Sequence, residues 1–142
     1  MAHYKASLTT SQTAEEVFSY LSDFSNTQHW DPGVKAAKRL DSGQIGVGSR
    51  FELTAVFMGS ESELVYEITE FEPGRRVLLR GENARVISLD EIVCEPSGDG
   101  AKISYDARLQ LKGIAQIFSP LLGLAFKRIG DKARDGLNRT FA

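Results

Sequence analysis

The 142-residue sequence predicts an α+β domain: an antiparallel sheet of about seven strands, two short helices after the first strand, and one long C-terminal helix. Three observations carry this prediction. Turn signals recur from Ser42 to Gly100 at the spacing of hairpins that join short strands. Ile103, Tyr105, Ala107, Leu109 and Leu111 alternate with Lys102, Ser104, Asp106, Arg108 and Gln110, which is a strand with one buried and one wet face. The period then changes, and Leu122, Phe126, Ile129, Ala133 and Leu137 fall on one stripe of a helix.

Each element follows in order. Residues 3–10 read as a first strand ending in Thr9-Thr10. Thr13 and Glu16 fit a capping box, in which hydroxyl and carboxylate each satisfy an unpaired backbone donor. Val17, Phe18 and Leu21 give that helix its apolar face, and it should stop near Asp23. Ser25 is placed to cap a second short helix through His29, which must end before Pro32. Strands then run from Val34 to Lys112, with turns at Ser42-Gly43, Gly46–Gly48, Gly59-Ser60, Pro73-Gly74, Gly81–Asn83 and Ser97–Gly100. Pro73-Gly74 suits a type II turn, because proline presets the first central φ and glycine accepts a positive φ at the second. Ser119-Pro120 starts the last helix, with proline at its first position.

Turn positions also assign faces. A turn centred on Gly59-Ser60 sets Phe51 opposite Ile68, Leu53 opposite Tyr66 and Ala55 opposite Leu64, all on one face. Carried through Pro73-Gly74, that face gains Val77 and Leu79. The next strand has two registers. A four-residue loop at Ser97–Gly100 turns Val86, Ser88, Asp90, Ile92 and Cys94 inward; a one-residue slip turns in Ile87, Leu89, Glu91 and Val93 instead. Either register puts one carboxylate on a mainly apolar face, where it must reach an edge, pair with a cation or line a wet cavity.

The totals narrow the class. The length suits one domain spanning residues 1–142. Seventeen Lys and Arg against 19 Asp and Glu give a formal charge of −2, with no global attraction to nucleic acid. No apolar run reaches the roughly 20 residues of a membrane-spanning helix. MAHYKASLTT lacks the pattern of a secretory signal, and a single cysteine, Cys94, cannot form an internal disulfide, so a cytoplasmic location is expected. His3 and His29 are far apart in the chain and offer no metal-ligand spacing, so neither a metal nor a cofactor is expected. Cys94 has no neighbouring histidine and no nucleophile elbow is present, which argues against nucleophilic catalysis. GVGS at 46–49 lacks the third glycine and following helix of a phosphate loop.

The likeness to known proteins rests on AEEVFSYLSDFSNTQHWDPGV at 14–34, GVGSRFEL at 46–53, EFEPGRRVLLR at 70–80, SGDGAKISY at 97–105 and the late helix ending in GLNR. In these segments the chain resembles the START-related superfamily, in its polyketide cyclase/dehydrase and lipid-transport branch. That resemblance implies a helix-grip fold, with a curved sheet around the C-terminal helix and a deep, mostly apolar cavity between them. It implies a small hydrophobic ligand, such as a lipid or polyketide, and for some members cyclisation or dehydration of that ligand. The leading expectation is a carrier or sensor, with Trp30, Phe51, Leu53, Phe57, Tyr66, Leu79, Tyr105, Leu122 and Phe126 as ligand walls. The alternative is a polyketide cyclase or dehydrase, with Asp90 or Glu91 as base and Tyr66 or Tyr105 as proton donor.

The same residues have plainer readings. Trp30 at the Pro32-Gly33 corner also reads as a packing residue framing a cavity mouth. His29 and Asp31 flank it and could form an acid/base pair, yet two exposed polar residues at a helix end give the same pattern. Tyr66 and Tyr105 fit core tyrosines equally well. The basic face with Lys127, Arg128 and Lys132 fits a solvated helix surface better than a protein-docking one.

Overall fold

The computed structural model describes residues 2–57, 59–113 and 119–141, with side chains of the last segment from residue 123. The strands are β1 (Ala2–Thr10), β2 (Val34–Arg39), β3 (Arg50–Phe57), β4 (Ser60–Glu72), β5 (Arg76–Glu82), β6 (Val86–Ser97) and β7 (Gly100–Leu111). They form one antiparallel sheet in the order β1-β7-β6-β5-β4-β3-β2. The helices are α1 (Ala14–Ser22), α2 (Thr27–Trp30) and α3 (Ser119–Phe141), with a 3-10 turn at Phe24–Asn26. This is the helix-grip α+β architecture, with a curled sheet and the C-terminal helix lying against it.

Local chemistry explains the helix ends. Thr13 caps α1, its hydroxyl accepting from the Glu16 amide at 3.2 Å. The second cap differs from expectation. Asp23, rather than Ser25, accepts from the Ser25 amide at 3.1 Å and starts the 3-10 turn that leads into α2. The earlier carboxylate therefore outcompetes the serine hydroxyl, which itself donates to Asp23.

The sheet corrects two turns. Phe57 pairs with Ser60, so the β3–β4 turn is centred one residue earlier than expected, and Phe51 faces Tyr66, Leu53 faces Leu64 and Ala55 faces Ser62. The slip is two residues, so every side chain stays on its expected face. Gly81 belongs to β5 rather than to a turn. Asn83 makes the turn instead, its side-chain oxygen accepting from the Arg85 and Val86 amides at 2.8 and 2.9 Å. Pro73-Gly74 turns as expected, with Gly74 at φ 74° and the Arg75 amide bonded to the Glu72 carbonyl at 3.0 Å.

Two bulges preserve the inward face. Ile68 pairs with Leu79 and Glu70 with Leu78, leaving Thr69 as an extra residue, so that Ile68 and Phe71 both point inward. Likewise Lys35 is the extra residue between Val34 and Ala36. The core then joins Val17, Phe18, Leu21, Phe24 and Trp30 to the sheet's concave face and to Phe126, Ala133, Leu137 and Phe141 of α3. Two glycines let α3 approach closely. A Cβ on Gly136 would overlap the Trp30 carbonyl oxygen, and one on Gly130 would run into the Tyr4 ring. The solvent face of α3 carries its own acid partners, with Lys127 3.2 Å from Asp131 and Arg134 3.2 Å from Asp135.

Candidate functional site

The β6 register resolves the carboxylate question. Ser97 pairs with Gly100, Cys94 with Ile103 and Ile92 with Tyr105, so Val86, Ser88, Asp90, Ile92 and Cys94 face inward. Glu91 faces outward, where Arg76 donates to it at 2.7 Å. Asp90 is only 6% exposed. Its Oδ2 accepts from the Tyr105 hydroxyl at 2.9 Å and its Oδ1 from the Ser88 hydroxyl at 3.0 Å. Burial raises its pKa to about 6, against the lowering effect of these two hydrogen bonds.

Neighbouring strands complete the cluster. Tyr66 on β4 pairs across the ladder with Gly81, which pairs in turn with Ser88. A Cβ at residue 81 would lie 2.6 Å from the Tyr66 ring, so the missing side chain lets the phenol lie across β5 toward Ser88. Burial and the negative charge of Asp90 hold the Tyr66 hydroxyl well above its ordinary pKa. The same two causes act on Tyr105. Trp30 meets Tyr105 edge to face, ring centroids 6.0 Å apart, and so fixes that ring from the α2 side.

Asp31 is the fifth member. Its Oδ1 accepts from the Gly33 amide at 2.8 Å, an Asx turn that makes the corner after α2. Burial, and then the charge of Asp90, raise its pKa to about 6. His29 is exposed and, among the described residues, makes no hydrogen bond or ion pair with Asp31, whose bonded partner is the Gly33 amide, so the His29–Asp31 pairing considered from sequence does not form. The corner supplies cavity wall through Asp31, Gly33 and Val34.

These groups line a cavity of about 930 Å³ between the sheet and α3. Apolar walls come from Val34, Ala55, Leu64, Ala107, Leu109 and Phe126, among others. Beyond them Ser60, Glu61, Asn83, Arg85 and Lys112, from hairpin tips and the end of β7, surround the outer end.

Of the residues singled out from sequence, Phe57, Tyr66, Asp90, Tyr105 and Phe126 line this cavity. Trp30, Phe51, Leu53 and Leu79 are buried in the core and do not line it. Phe51 and Leu53 sit on the correct face, but Phe24 covers that end of the sheet, 6.4 Å from Phe51 and 5.1 Å from Tyr66 between ring centroids. The Leu122 side chain lies outside the described residues. Sequence reasoning set Asp31 beside His29 rather than in the cavity, turned Ser88 inward in one register without giving it a role, and placed Gly81 in a turn. An Asp-Pro-Gly corner is a signal for an Asx turn, and a glycine opposite a tyrosine is a signal for a ring lying over the backbone.

Among the described residues no group of His, Cys, Asp and Glu side chains has the arrangement of a metal site. No described helix is long and apolar enough to cross a membrane. Cys94 is buried, and its thiol is pushed up to about 12.

A family model described as polyketide cyclase / dehydrase and lipid transport matches residues 1–142. A solved START superfamily protein from Mycobacterium smegmatis superposes with a TM-score of 0.82 at 12% identity, covering 99% of this chain and 97% of that one. A protein of Thermus thermophilus gives 0.80 at 16% identity, over 96% and 94% of the two chains. A hypothetical protein from Helicobacter pylori gives 0.75 at 15% identity, over 99% and 87%. At these identities the likeness establishes the fold. No curated protein matches the sequence.

Proposed function

The chain belongs to the polyketide cyclase / dehydrase and lipid transport family, and from that premise we propose that it is a carrier or sensor for a small hydrophobic molecule. The ligand would occupy the space between the sheet and α3, its apolar body against Ala55, Leu64, Ala107, Leu109 and Phe126. The observation that supports this reading most is the cavity of about 930 Å³ with mainly apolar walls and one polar cluster. That size lies at the upper end of the roughly 300–1,000 Å³ of ordinary ligand pockets, and a few convergent polar groups are what fix orientation in them. Native mass spectrometry of gently purified protein, followed by organic extraction, tests it. The expected result is a co-purified hydrophobic molecule or saturable uptake of a lipid-like probe. A protein that carries nothing and takes up no such probe would overturn the reading.

One observation favours a second reading, a polyketide cyclase or dehydrase. Asp90 is a buried carboxyl with pKa about 6, suited to removing a proton from carbon next to a carbonyl near neutrality. The Tyr105 proton is committed to Asp90, so Tyr66 is the phenol free to hydrogen-bond the enolate oxygen that forms. The enolate carbon then attacks a second carbonyl of the same polyketide, the resulting alkoxide takes back the proton held by Asp90, and loss of that hydroxyl with a further α-proton as water completes a dehydration. On this reading Asp90→Asn abolishes turnover of a polyketone while binding persists. An unchanged rate removes Asp90 from the chemistry.

A further inference from the structure

The inner end of the cavity has a definite electrical sense. Asp90 enters it from β6 and Asp31 from the corner after α2. Tyr66 from β4 and Tyr105 from β7 stand beside them, and the charges of both carboxylates bear on both phenols. Asp106, on the outer face of β7, adds more negative potential at Asp90. Among the described lining residues the only cations are Arg85 and Lys112, both at the outer end, and Lys112 is paired with Glu82. Glu61 and Glu63 line the same outer region. The described part of α3 lines the cavity with Phe126 and Ile129 and brings no charge to its inner end.

The hydrogen bonds leave one acceptor open. Tyr105 and Ser88 each give a proton to Asp90, and the Gly33 amide gives one to Asp31 Oδ1. Among the described residues, Asp31 Oδ2 accepts no hydrogen bond. Two carboxylates that repel each other, one with an open acceptor on a cavity wall, call for a donor, and best for a positively charged one. A ligand carboxylate entering first would add a third negative group, and like charges in a desolvated site are strongly disfavoured. An ammonium would offer up to three charge-assisted hydrogen bonds and relieve the repulsion at once.

We propose that this site takes an amphiphile with an apolar body and a basic nitrogen at its leading end, the protonated nitrogen seated between Asp31 and Asp90. The proposal rests on the ligand-binding reading above and specifies its substrate class. Fatty-acid-like anions are excluded from this orientation, and neutral alcohols bind without the ionic contribution. Tyr66 and the ring of Phe126 border the stem of the ligand, while the tail extends toward Ala55 and Leu109.

Calorimetric titration of the full chain with decylamine, decanol and decanoate, at about pH 7.5 where ordinary carboxyls are ionised, separates the possibilities. The expected result is decylamine binding at least about tenfold more tightly than either other probe, a difference of one decade in Kd. Decylamine affinity should fall as the pH drops through about 6, the value at which Asp31 and Asp90 take up protons, whereas decanol affinity should stay flat. Asp31→Asn and Asp90→Asn should each lower the amine-to-alcohol affinity ratio several-fold. If either variant fails to fold, the pH profile of the unmodified protein decides. Decanol or decanoate binding as well as decylamine, or amine affinity independent of pH across 6, overturns the amine proposal and leaves hydrophobic binding standing. Failure of all three probes to bind counts against both.

Discussion

Asp90 and Glu91 are adjacent acids with opposite fates. Glu91 shares the exposed-side guanidinium of Arg76 with Glu70, at 2.7 and 3.0 Å, an arrangement of modest stabilising value because it faces solvent. Asp90 is buried, and its folded pKa of about 6 stands above the 3.8 of a free aspartate. The folded state therefore holds this proton more tightly than the unfolded chain. Its contribution to stability is full below about pH 4 and is lost as the pH rises to about 6, by roughly 3 kcal/mol at most. Asp90→Asn keeps a neutral acceptor for Tyr105 or Ser88. The variant should be more stable than the parent at pH 8, by up to roughly 3 kcal/mol, and the gap should close toward pH 4. Urea unfolding at both pH values checks this, and a gap of equal size at both would refute it. The sequence left this pair undecided because a carboxylate on the inner face costs a similar amount in either register. What decides is the Gly98-Asp99 turn, with Gly98 at φ 58°, together with the guanidinium waiting for Glu91 on the outer face. Asp31 was less legible still, since its role depends on which way a one-turn helix rotates.

Among the elements, α3 shows how a rule of propensity reverses. Glycine inside a helix costs about 1 kcal/mol relative to alanine, so Gly136→Ala would ordinarily stabilise. Here the new methyl would overlap the Trp30 carbonyl, which is backbone and cannot swing aside. The helix would have to retreat and loosen Ala133 and Leu137. The expected outcome is destabilisation of roughly 1–3 kcal/mol, the usual cost of overfilling a packed contact, measured by chemical unfolding. A stabilised variant would show that α3 is held less closely. The apolar stripe of α3 was readable from its period alone, but that period does not mark Gly130 and Gly136 as points of close approach. Hairpins behaved similarly. The β3–β4 pairing was two residues off, yet its faces were right, because strand parity survives an even slip. Both bulges were invisible beforehand, since an extra residue leaves no mark in an alternating pattern that is already interrupted by Thr69 or Lys35.

At the scale of the molecule, the class of fold was legible because the change from period two to period 3.6 is a global signal. The cavity was not legible from the residues alone. Whether a concave face and a helix close tightly or leave space depends on shape: Phe24 and Trp30 fill one end, whereas the small side chains of Ala55 and Ala107 leave room elsewhere on the concave face. The open sheet also has two unpaired borders, β1 and β2. On β2 the bulge that keeps Val34 and Ala37 facing inward also breaks the regular row of backbone donors and acceptors. That strand is six residues long and holds Lys35, Lys38 and Arg39. A foreign strand approaching it would meet an interrupted ladder and charged side chains that are already paired, Lys35 with Glu61, Lys38 with Glu52 and Arg39 with Asp41, and bulges and charged side chains are among the features that discourage edge-to-edge pairing. The same extra residue that shapes the wall of the cavity thus also interrupts the border at which another strand would have to add.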